Sequence, residues 1–94
     1  MKRITIYDKE TDTSHSTLEA YITDEGNLVL EGYDIGDFVE KYWGDSDYEY
    51  WLTVKSENVP AVLLWLIKER FKTDSEFREW LDEKKIPSQF DSYI

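Results

Sequence analysis

The sequence predicts an α+β fold: an antiparallel sheet of about four strands, in β-β-β-α-β-α-α order, with helices packed mainly on one face. Three observations carry this prediction. Apolar and polar residues alternate with period two around Ile4–Tyr7, Thr17–Thr23 and Tyr48–Lys55. A short Asp24-Glu25-Gly26-Asn27 break separates two strand-like runs. Helical spacing with cap residues occupies positions 34–43 and most of the chain after Ser56.

Taken in order, Ile4 and Ile6 alternate with Thr5 and Tyr7 as a first strand, and the polar stretch Asp8 to Ser16 reads as a loop. Leu18, Ala20 and Ile22 alternate with Thr17, Glu19, Tyr21 and Thr23 as a second strand. Gly26 suits the left-handed position of a hairpin loop, and Leu28 to Glu31 form the returning strand. Asp34 then reads as a helix N-cap, with Ile35, Phe38, Val39, Tyr42 and Trp43 on one helical face and Gly44 as the stop. Tyr48, Tyr50, Leu52 and Val54 alternate with Glu49, Trp51, Thr53 and Lys55 as a fourth strand.

Ser56 or Asn58 caps the next helix, and Pro60 falls in its first turn, where a missing N–H costs little. Val59, Val62, Leu63, Leu66, Ile67 and Phe71 form its apolar stripe, broadened by Leu64 and Trp65, which makes it the main helix expected on the sheet. Thr73 and Glu76 fit a capping box that opens a last helix carrying Phe77, Trp80 and Leu81. Ile86-Pro87 ends it, and Phe90, Tyr93 and Ile94 are expected to pack back on the domain. The inward strand residues are then Ile4, Ile6, Leu18, Ala20, Ile22, Leu28, Leu30, Tyr50, Leu52 and Val54. The other face carries Tyr7, Glu19, Tyr21, Val29, Glu31, Glu49, Trp51 and Thr53.

A chain of 94 residues is expected to form a single domain over 1–94. Its net charge is −10, and 12 of its 21 acids fall in residues 1–47 against 4 bases. That balance argues against nucleic-acid phosphate and anionic membrane as partners, and it favours a basic protein partner. The absence of cysteine removes thiol chemistry, and the cytoplasm is the simplest compartment. Lys2 and Arg3 are not expected to open a signal peptide, because Asp8, Lys9 and Glu10 end the apolar run that follows.

Specific chemistries fare poorly. Asp45-Ser46-Asp47 fails as a calcium loop because Tyr50 and Ser56 stand where Gly and a bidentate Glu are needed. Asp8, Glu10, Asp12 and Glu19 match the ligand spacing better, but Thr13 replaces the turn Gly and a strand precedes the loop. His15 is the only histidine and has no triad or zinc partners at a diagnostic spacing. Gly32-x-x-x-Gly36 lacks the Lys and Ser/Thr of a phosphate loop. No catalytic residue, metal or cofactor is therefore expected, and the chain reads as non-enzymatic.

Protein binding is the stronger candidate. Between Glu31 and Tyr50 stand seven acids and one base. Asp37, Glu40, Asp45, Asp47 and Glu49 would steer a basic surface towards the aromatic anchors Tyr21 and Trp51. Strand alternation sets Trp51 opposite to Tyr50 and Leu52 and so away from the helices. One concrete form is an immunity or antitoxin protein that neutralises a cationic toxin. A second is a DNA mimic whose carboxylates, in two rows, occupy a DNA-binding protein. The competing class, a small enzyme or ligand-binding domain, requires a closed pocket with a perturbed acid.

The segment GYDIGDFVEKYWGDSDYEYWLTV, Gly32 to Val54, resembles a group of small bacterial proteins with a G-x-D-(I/L)-G-x-x-V motif running into Gly, acids and Tyr-Glu-Tyr. Glu57-Asn58-Val59-Pro60 and Phe77-x-x-Trp80-Leu81 are similar too. The resemblance implies a bacterial source and no particular activity. It carries over fold determinants only: Asp34 as cap, Gly44 as stop, and Tyr48 and Tyr50 in the strand.

Overall fold

The computed structural model describes residues 2–36 and 47–93 of the chain. Its fold is α+β: a four-stranded antiparallel sheet followed by two helices. The strands are β1 (Arg3–Glu10), β2 (Ser14–Ile22), β3 (Leu28–Gly36) and β4 (Asp47–Val54), paired in sequence order. A 3-10 turn, Ser56–Asn58, leads to helix α1 (Val59–Arg70), and α2 (Asp74–Glu83) follows. The chain divides into two compact units, Met1–Val59 with the sheet and Pro60–Ile94 with the helices.

The β2–β3 hairpin is set by local chemistry. Gly26 adopts φ +88°, the left-handed region where a Cβ would be strained, and its N–H bonds to the Thr23 carbonyl. The Asn27 N–H bonds to Thr23 Oγ1, and its side-chain oxygen accepts from the Ser56 N–H at 2.8 Å. That last bond ties the hairpin loop to the end of β4.

The strands run longer than their alternation suggests. Asp8–Glu10 and Ser14–Ser16, expected as loop, extend β1 and β2 around a turn in which Thr11 Oγ1 accepts from the Ser14 N–H. The expected helix N-cap at Asp34 is overturned: Asp34 sits inside β3, between Ser16 and Tyr48. With a partner strand on each side, ladder pairing takes the backbone groups that a capped helix would otherwise use. Ile35 and Gly36 are likewise strand, and the rest of that expected helix, with Gly44, lies outside the described residues.

Register fixes two faces. Ile4, Ala20, Leu30 and Leu52 form one cross-strand row, continued by Ile22, Leu28 and Val54. This aliphatic face matches the expectation except at the first strand. A bulge between Thr5 and Tyr7 leaves Ile6 without a partner on β2 and moves Tyr7 onto the aliphatic side, opposite Leu18. Tyr7 was expected on the other face. Instead it shares the row Tyr7, Leu18, Gly32, Tyr50. The two edge-strand phenols lie across that row and meet at 3.4 Å. Gly32 makes this geometry feasible, because a Cβ there would enter the Tyr50 ring. The contact with Tyr7, chiefly its hydrogen bond, pushes the Tyr50 phenol up to about 12.

In the second unit, α1 carries apolar side chains around its whole circumference; Leu63, Leu64, Trp65 and Leu66 are all exposed. Phe71, Phe77 and Trp80 form an aromatic cluster with centroids 5.1 to 6.1 Å apart. Thr73 caps α2 as expected, accepting from the Glu76 N–H at 3.1 Å. The reciprocal arm of the box reaches the Lys72 N–H rather than that of Thr73. The helix stops before Ile86-Pro87: Ile86 N–H bonds to Leu81 and Lys85 N–H to Asp82, a Schellman closure with Lys85 at φ 59°. Phe90 rests on the Arg78 guanidinium at 3.9 Å, whereas Tyr93 is fully exposed, against the expectation that it packs.

Candidate functional site

The second sheet face gathers most of the chemistry of the first unit. Its cross-strand rows are Arg3, Tyr21, Val29, Thr53; Thr5, Glu19, Glu31, Trp51; Asp8, Thr17, Tyr33, Glu49; and Glu10, His15, Ile35, Asp47. Tyr21, Asp47, Glu49 and Trp51 were expected as site residues, and pairing brings all of them to this face. Asp37, Glu40 and Asp45 lie outside the described residues.

The face is organised around Glu31. Its Oε1 accepts from Trp51 Nε1 at 3.0 Å and from the Tyr21 hydroxyl at 3.2 Å. Its Oε2 accepts from Arg3 Nη1 at 3.4 Å, and the same nitrogen reaches Glu19 Oε1 at 3.3 Å. The Arg3 guanidinium also stacks on Tyr21, 4.0 Å from the ring centroid. The Trp51 hydrogen bond, ahead of those from Tyr21 and Arg3, holds the Glu31 carboxyl below the usual carboxylate range, so it stays charged. Trp51 remains 56% exposed with its indole N–H already bonded. Val29, at 6% exposure the most buried hydrophobic side chain described, lies in the adjoining row between Tyr21 and Thr53.

Beyond this cluster the carboxylates occupy the two edges. Asp8 and Glu10 stand on β1, Asp47 and Glu49 on β4, three interstrand steps or about 14 Å apart. On the β1 side His15 Nε2 lies 2.6 Å from Asp8 Oδ1, and its Nδ1 3.9 Å from Glu10. The Asp8 hydrogen bond is the main reason the imidazole is raised above its ordinary value. On the β4 side removal from water, then the charges of Asp47 and Glu49, raise the Tyr33 phenol.

Sequence reasoning placed Glu31, Glu19 and Glu49 on this face by alternation, but did not single out Glu31 as its centre. Arg3 was missed altogether. Its place beside Tyr21 depends on the β1–β2 register, which alternation within one strand does not give.

Chemically the face can attract and hold cations. Among the described residues no group of three or more His, Asp or Glu is placed to hold a metal ion. Among the described residues, no helix is long and apolar enough to cross a membrane. No protein-family model, curated protein or solved structure matches the chain.

Proposed function

We propose that the chain is a non-enzymatic protein-binding domain whose acidic sheet face engages a basic protein partner, in the manner of an immunity or antitoxin protein. The observation that supports this most is Trp51, an exposed ring held in place by Glu31 among carboxylates. Locked aromatic anchors lose little entropy on binding, and surrounding charge accelerates encounter. The charge imbalance of the N-terminal half points the same way.

The test is capture from a bacterial lysate on the immobilised protein. A basic protein should be retained at about 0.05 M salt and released near 0.5 M, where screening shortens to a few ångströms. Combined Asp47→Asn, Glu49→Gln and Trp51→Ala replacement should abolish capture, with circular dichroism establishing that the variant is folded at the capture temperature. Equal retention by the variant would sink the reading.

The separation of Asp8/Glu10 from Asp47/Glu49 into two edge rows supports a second reading, a DNA mimic that occupies a DNA-binding protein. In that case duplex DNA should displace the captured partner, and an uncharged polymer should not.

A further inference from the structure

Among the paired strand residues of the acidic face, Arg3 is the only lysine or arginine. It lies against side chains of which Tyr21, Glu31 and Trp51 are tied together by their own hydrogen bonds. Trp51 and Tyr21 both donate to Glu31 Oε1, which leaves Oε2 turned to the guanidinium. Tyr21 supplies the stacking surface and Glu19 a second carboxylate. Yet Arg3 fills the place poorly. It uses one nitrogen, Nη1, for both carboxylates, at 3.3 and 3.4 Å, rather than the two-pronged contact a guanidinium can make. Its side chain is 44% exposed on an edge strand, so its ion pairs are weak ones.

We propose that Tyr21, Glu19, Glu31 and Trp51 form a receptor for an arginine side chain of the basic partner, and that Arg3 occupies it in the free protein. This rests on the basic-partner reading and names the group that is recognised. An incoming arginine displaces Arg3, stacks on Tyr21 and bridges Glu19 and Glu31, with the exposed Trp51 ring beside it. Arginine is preferred to lysine because a planar guanidinium lies flat on the Tyr21 ring with its in-plane N–H donors free for the carboxylates, whereas an ammonium has no flat face to stack.

The experiment measures binding of nona-arginine and nona-lysine to the wild-type chain, to Arg3→Ala and to Lys2→Ala. The Lys2 variant makes the same charge change at the neighbouring position. Arg3→Ala should tighten nona-arginine binding by about five- to tenfold, the combined worth of a stacking surface and a charged hydrogen bond set free. It should change nona-lysine binding no more than Lys2→Ala does. Arg3→Gln should behave like Arg3→Ala, and unchanged thermal melts for both establish that the sheet is intact. If both peptides bind but Arg3→Ala matches Lys2→Ala, the arginine receptor is overturned and the basic-partner reading stands. If neither peptide binds any of the three proteins at low salt, both fall.

Discussion

Replacing Gly32 by Ala tests the close approach of the Tyr50 ring to β3. The new Cβ enters the space of the Tyr50 ring, which lies across β3 to reach Tyr7. Overfilling a packed site of this kind costs about 1–3 kcal/mol. Loss of the 3.4 Å phenol–phenol contact adds about 0.5 kcal/mol, the low end for a neutral hydrogen bond. The backbone at Gly32 is not left-handed, so alanine also lowers the entropy of the unfolded chain and returns about 0.4–1 kcal/mol. The net loss is about 0.5–3 kcal/mol, or roughly 2–25 °C in melting temperature for a chain of this size. Chemical denaturation followed by circular dichroism reads it directly. In a Tyr50→Ala background the same Gly32→Ala change should be neutral or stabilising, because the ring it collides with is gone. A wild-type-like Gly32→Ala, or an equal loss in both backgrounds, would refute the crossed-tyrosine geometry.

Other outcomes follow from the same structure. His15 should titrate above 6.5 by NMR and return towards 6.5 in Asp8→Asn, since the Asp8 hydrogen bond is the leading cause of the shift. Because the folded value is raised, the stabilisation from this pair is complete below 6.5 and fades as pH rises through the folded value. Ultraviolet titration should show a phenol ionising near 12, and Tyr7→Phe should bring it down towards 10, with no change counting against the pairing. Lys85→Gly should raise stability by about 0.5–1 kcal/mol, because Lys85 sits at φ 59° in a helix closure that favours glycine; a loss would contradict that cap.

Particular residues mark what could be read from the sequence. Gly26 between Thr23 and Asn27 announced the hairpin, because its turn chemistry is local. Alternation alone placed Trp51 away from Leu52, and the structure keeps that assignment. The Thr73 cap was legible for the same reason. Asp34 failed because a cap residue ahead of helical spacing is also a tolerable strand residue when both flanking strands offer partners, and pairing over long sequence distance outweighs local preference. Tyr7 failed at the β1 bulge, which reverses facing by a single residue and leaves no mark in the alternation. The candidate site divides along the same line. Its aromatic and acidic members follow from strand parity, whereas the Arg3–Tyr21–Glu31 contacts require register between strands.

The most direct measurement is a residue-resolved footprint of a polycation on the labelled protein. With nona-arginine at low salt, the Trp51 indole N–H and the Val29 methyl signals should shift and recover as salt is raised. The methyl signals of Ile4, Leu30 and Leu52, on the aliphatic face, should stay in place. Shifts confined to the aliphatic face or to α1 and α2, or shifts insensitive to salt, would contradict the assignment of the acidic face as the binding surface.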